Sequence, residues 1–214
     1  MNKLLITILT IALGCNRSTT EDLFILNNVD IIASTDSINT IDTFNNLFWR
    51  SQLTSENGQG AQIENIVFRF DFNTGKFTKY GNHGIRLKGL PYDCYTKLHC
   101  ISRSSYTILL DKNYDAIGEE NNVLPLSEVR REFLQTLSDR PQDAITEIYL
   151  DSTHRIVKID FLLSALTDEY AKFISKRRIQ ESDRSTEDLV ENFPLHLCLR
   201  KRMYPIGHME IIAD

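Results

Sequence analysis

Ile66-Val67-Phe68-Arg69-Phe70-Asp71-Phe72-Asn73-Thr74-Gly75-Lys76-Phe77-Thr78-Lys79-Tyr80 is the stretch from which the fold is read. Ile66, Phe68, Phe70 and Phe72 alternate with Val67, Arg69 and Asp71, the period of a strand with one apolar side. Asn73-Thr74-Gly75 breaks the alternation with residues that tolerate a tight turn, and extended residues resume to Tyr80, so the stretch predicts a β-hairpin. Its aromatic stripe belongs to a core more simply than to a ligand platform.

Working outward, Ile38, Ile41, Phe44, Leu47 and Phe48 in the Asn/Thr-rich region Asp22 to Gln52 have helical spacing. Ser51 to Gly60 is polar and glycine-bearing, which predicts a loop. On the other side, Tyr106 to Leu110 predicts a strand. Val129, Phe133 and Leu137 mark one face of a helix from Leu126 to Leu137, between Pro125 and Pro141. Ile145 to Leu150 and Val157 to Phe161 read as strands around Asp151-Ser152-Thr153-His154. Leu163, Leu166, Tyr170 and Ile174 mark a helix ending in Lys176-Arg177-Arg178, whose positive charge complements the helix dipole. Ser185 and Asp188 form a cap signature for a short helix to Phe193, and Leu195, Leu197 and Leu199 alternate in a last strand. Strands and helices mix without a strict βαβα rhythm. The expected fold is therefore α+β, a mostly antiparallel sheet with three or four helices, in a single globular domain over 23–214.

Composition excludes several classes. With 42% apolar and 25% charged residues, 214 residues can bury an ordinary core, which excludes disorder and collagen-like repeats. The formal charge of -5 offers no steering toward nucleic acid.

The N-terminus predicts location. Lys3 precedes the apolar and threonine run Leu4 to Leu13, and Gly14-Cys15 follows. That run is about half of the roughly 20 residues that span a bilayer, so 1–14 reads as a signal peptide. Ala12-Leu13-Gly14-Cys15 resembles the lipobox of bacterial lipoprotein precursors. The resemblance implies that Cys15 is acylated, becomes the mature N-terminus and holds the protein on the membrane of the cell envelope, with palmitate among its chains. The polar run 15–22 then serves as a tether.

Cys94, Cys100 and Cys198 remain, enough for one disulfide and one thiol. Cys94 and Cys100 are the natural pair, since six residues of separation let a turn bring them together. The rival reading is a metal site of Cys94, His99 and Cys100 with His83, although the two spaced ligand pairs usual for zinc are absent. Asp111, Asn113 and Asp115 have the oxygen spacing that begins a calcium loop, but Ala116 and Asn122 stand where an EF-hand has Gly and Glu. A polar hairpin turn explains the same residues. His196, Cys198 and Arg200 share a strand face, yet side chains two apart lie nearly 7 Å from each other, too far for direct proton transfer. Gly-x-Gly-x-x-Gly, Walker A, His-Glu-x-x-His and Gly-x-Ser-x-Gly do not occur.

From Tyr106 to about Arg200, a strand, Pro-Leu-Ser-Glu leading a helix, Ile-Tyr-Leu-Asp151 and a second helix loosely resemble the periplasmic domain of ExbD/TolR-type transport proteins. That resemblance implies partnership with an energised inner-membrane motor and a membrane-spanning helix. It also implies that Ile156 to Phe161 are helical, where the alternation alone predicts a strand. Two classes of function follow. The favoured one is a non-enzymatic, lipid-anchored envelope protein whose partner is another envelope or secreted protein; the alternative is an exported hydrolase with a dispersed active site.

Overall fold

A computed structural model describes residues 20–27, 31–56, 63, 65–89, 105–118, 121–139, 141 and 144–202, with only the backbone described from 49 to 56. The hairpin is where the sequence put it. Strand β2, Ile66–Asp71, turns back into the short β3, Lys76–Phe77, with Phe70 opposite Phe77. Asp71 closes the turn. Its Oδ1 accepts the amides of Asn73 (2.9 Å) and Thr74 (3.3 Å), and Gly75 takes the left-handed φ of 65° the reversal needs.

The remaining strands are β1 Ile32–Ala33, β4 Gly84–Lys88, β5 Ser105–Leu110, β6 Ala116–Ile117, β7 Ile145–Leu150 and β8 His196–Lys201. They form one eight-stranded sheet in the order β1-β2-β4-β8-β7-β5-β6, with β3 beside β2. The fold is α+β in general, but the sheet is not mostly antiparallel as the sequence suggested. β1 with β2, β4 with β8, β8 with β7 and β7 with β5 all run parallel. Only the β2–β3, β2–β4 and β5–β6 ladders are antiparallel.

Four α-helices lie among the described residues: α1 Ile41–Glu56, α2 Leu126–Asp139, α3 Asp160–Gln180 and α4 Thr186–Asn192. In α1, Thr40 and Thr43 cap each other: the Thr43 amide bonds Thr40 Oγ1 (3.3 Å) and the Thr40 amide bonds Thr43 Oγ1 (3.1 Å). Its face of Ile41, Phe44 and Phe48 is buried. The helix continues through Ser51 to Glu56, where composition had suggested the start of a loop. Val157–Phe161 is no strand either. Ile156–Ile159 is a 3-10 turn that runs into α3, and the buried pair Ile156 and Ile159, three apart, is what its apolar residues serve. α4 carries the expected cap, with Ser185 Oγ accepting the Asp188 amide and the Asp188 carboxylate accepting the Ser185 amide, each at 3.1 Å.

Alternation places the core on one side of the sheet. Phe68 and Phe70, Ile85 and Leu87, Leu197 and Leu199, Ile148 and Leu150, and Ile108 and Leu110 join Phe44, Phe133, Leu166 and Tyr170 of the helices in one apolar cluster. The opposite rows carry Arg69, Arg86, Lys88, Arg200, Glu147, Tyr149 and Thr107, and register brings Arg200 beside Tyr149 and Thr107 beside Glu147. The described helices pack on the apolar face, and in the opposite rows Val67 and Cys198 are buried as well.

Candidate functional site

Cys15, Cys94, His99 and Cys100 lie outside the described residues. The lipid site, the disulfide pair and the cysteine-based metal site fall there with them. His83 bridges Ile25 in the backbone pairing beside β4. Among the described residues, no three His, Cys, Asp or Glu side chains are grouped to hold a metal.

The calcium-like residues form the turn between β5 and β6. Asp111 Oδ1 accepts the backbone amides of Asn113 (2.8 Å) and Asp115 (2.9 Å), and its Oδ2 accepts from the Asn113 side-chain Nδ2 at 3.4 Å. Both carboxylate oxygens are thus used within the turn, and Tyr114 takes a φ of 72° to complete it. Tyr114 reaches across to the loop after β7: its ring stacks on His154 at 4.5 Å and its hydroxyl accepts the Arg155 amide at 2.8 Å. His154 is 2% exposed, and its Nδ1 accepts the Asp151 amide at 3.0 Å. A nitrogen that accepts an amide carries no proton, which leaves the ring hydrogen to Nε2. This assembly joins two loops at the C-terminal ends of parallel strands and is a structural joint.

His196, Cys198 and Arg200 share one face of β8, as their spacing required. The partner that matters to Arg200 is on the next strand. Its Nε donates to Glu147 Oε1 at 3.1 Å, its Nη2 binds the same oxygen, and Tyr149 donates to Glu147 Oε2 at 3.2 Å. Sequence reasoning missed Glu147 and Tyr149. The signal was available, because Glu147 and Tyr149 interrupt the apolar row of β7 with period two.

The largest described concavity, about 620 Å³, lies along β5. It is lined by Tyr106, Thr107, Leu109 and Ile117, by Asn122 and Leu124 of the arm after β6, and by Glu132 of α2. The arm returns tightly: the Gly118 amide bonds the Asn122 carbonyl at 2.9 Å, and the Leu124 amide bonds the Ala116 carbonyl at 2.7 Å. On β5, β6 pairs with Leu109 and Leu110 alone, and on its other side Ile117 bridges Val123 of the arm. Among the described residues, Ser105 to Ile108 pair with β7 on one side and with no strand on the other. Since the Asp111 amide bonds the Asp115 carbonyl (2.9 Å), alternation turns the amide and carbonyl of Thr107 toward this open side. Burial, with the Glu132 carboxylate that its hydroxyl bonds, pushes Tyr106 up, so the phenol stays protonated as a donor at the groove wall. Thr107 itself is exposed. The site thus offers main-chain hydrogen bonding beside an apolar wall, which suits recognition of an extended chain.

No protein-family model, curated protein or solved structure matches the chain.

Proposed function

We propose that the protein is an exported, lipid-anchored envelope protein with a non-enzymatic binding role, and that it takes an extended segment of a partner polypeptide as an added strand on β5. The observation that carries this reading is the open edge at Ser105 to Ile108 along a groove of about 620 Å³. An unpaired edge presents donors and acceptors at strand spacing, and alternate side chains of an incoming strand would enter the wall of Leu109, Ile117 and Leu124. Five polar groups of the kinds that do chemistry are bound up in structural work: Asp71, Asp111 and Asp188 close turns or cap a helix, His154 holds a loop, and Glu147 pairs with Arg200. Export and anchoring rest on Leu4 to Leu13 and Cys15.

Peptides selected from a displayed random library against the wild-type chain test the groove. Thr107→Pro deletes the outward amide while leaving the β7 ladder intact, so it should abolish binding that Thr107→Val retains. Equal binding to all three proteins, or a library that yields no binder, would overturn the reading.

A second reading has one observation in its favour. The ExbD/TolR resemblance needs 156–161 to be helical, and Ile156–Gln180 is a 3-10 turn continuing into α3. It would make the protein a component of an envelope energy-transduction complex. No helix among the described residues is long and apolar enough to cross a membrane.

A further inference from the structure

We propose that the C-terminal end of α3, with the groove it forms against α2, docks on the anionic headgroups of the membrane that holds the lipid anchor; the proposal rests on the anchored reading above. The chain carries a formal -5, yet between 172 and 184 it has five basic residues, Lys172, Lys176, Arg177, Arg178 and Arg184, against Glu181 and Asp183. A helix dipole amounts to about half a charge, so it accounts for only a fraction of that excess. Arg177 and Arg184 both lean on Glu181, at 3.5 and 3.0 Å, and Lys172 bonds Glu169 at 2.8 Å. Lys176 and Arg178 are exposed and turned outward beside Ile179, which is 82% exposed on the last turn of the helix.

The neighbouring groove, about 320 Å³, combines the same charges with an apolar floor. Leu134 and Phe173 line it beneath Lys172, Lys176 and Arg177. An isoleucine projecting from a basic rim over such a floor matches the boundary between headgroups and acyl chains. The acidic residues of α4, Glu187, Asp188 and Glu191, belong to the opposite flank, because α2 stands over β5 while α4 packs between α3 and the 3-10 turn at Thr20–Leu23. An anionic surface therefore attracts the α2 side of this end.

Connectivity puts the end where it is needed. Thr20 is five residues beyond Cys15, so at about 3.5 Å per residue the fold begins within roughly 18 Å of the anchored sulfur. The Thr20–Leu23 turn leads to Phe24, whose ring meets Tyr170 of α3 at 6.0 Å. Phe24 and Ile25 pair beside Gly84 and His83 at the start of β4, which runs parallel to β8, and α3 leads by way of α4 into the start of β8, so the C-terminal end of α3 and the Thr20–Leu23 turn lie at the same end of the strands.

The test is amide hydrogen exchange on the full-length membrane-extracted protein, reconstituted in phosphatidylcholine vesicles with and without phosphatidylglycerol, alongside its intact mass. Amides over 174–184 should exchange several-fold more slowly with phosphatidylglycerol, and the protection should vanish in high salt, where screening is short-ranged. The exposed double variant Lys176→Glu, Arg178→Glu should lose it, while Ile179→Ser should weaken it and keep its salt dependence. Identical exchange in both lipids by a protein with acyl mass at Cys15 would overturn the docking surface alone. Without acyl mass at Cys15 the anchored reading falls; salt-reversible protection of the same amides would still uphold the surface, and its lack would overturn that too.

Discussion

At the scale of single residues, the most informative carboxylates are those whose surroundings change their proton affinity in opposite directions. The Ser185 amide and hydroxyl hold Asp188 below its ordinary value, and the Thr74 hydroxyl and Asn73 amide do the same for Asp71. Their contributions are present above the ordinary carboxylate range and fade as pH falls through the lowered values. Asp168 runs the other way: burial raises it, outweighing the attraction of Arg130 and Lys172. The folded chain holds that proton more tightly than the unfolded one, so Asp168 costs stability once pH rises past its raised value. Asp168→Asn should accordingly raise the melting temperature at neutral pH, and the gain should close toward about pH 3, where unfolded Asp is itself protonated. Thermal denaturation across that range checks it, and a gain that persists at acid pH would contradict the burial argument.

Among the secondary elements, the β7–β8 pair is held on the face opposite the apolar cluster by Arg200 and Glu147, whose side chains are 13% and 16% exposed. Removing one partner of so buried a pair strands the other charge. Arg200→Ala should destabilise by about 3 kcal/mol, whereas Arg200→Met with Glu147→Leu should cost much less, and urea denaturation of both gives the comparison. The same strands show what the sequence made legible and what it hid. The hairpin at β2, the face of α2 and the cap of α4 were readable because each depends on residues close in the chain. Parallel pairing depends on distant partners and leaves no local mark. The order β5, α2, β7, α3, β8 is a βαβαβ run, but the β6 turn inserted after Leu110 and the false alternation of Val157, Ile159 and Phe161 masked its rhythm. β4 went unseen because Gly84-Ile85-Arg86-Leu87-Lys88 alternates too briefly to stand out. Of the candidate site, Tyr106 and Leu109 were placed on a strand, but the openness of that strand's edge is a property of register. The calcium-like spacing of Asp111, Asn113 and Asp115 proved to be the spacing of a side chain folding back on its own turn.

For the molecule as a whole, one apolar cluster takes residues from Phe24 to Leu199 and from each of the four described α-helices. Such sharing predicts a single cooperative transition, with far-ultraviolet and aromatic circular dichroism coinciding in urea; two separated transitions would mean independent halves. Within that unit β8 has an unusual position, the latest of the described strands in the chain and yet the one between β4 and β7. Among the described residues, no ladder joins the β1–β4 group to the β5–β7 group without it. For a polypeptide delivered N-terminus first, strand pairing between the two groups waits until residues 196–201 arrive, while α3 already packs on the earlier part of the chain through Tyr170 and Phe24. Strand order thereby acts as a timer. It makes completion of the sheet the last strand-pairing event among the described residues.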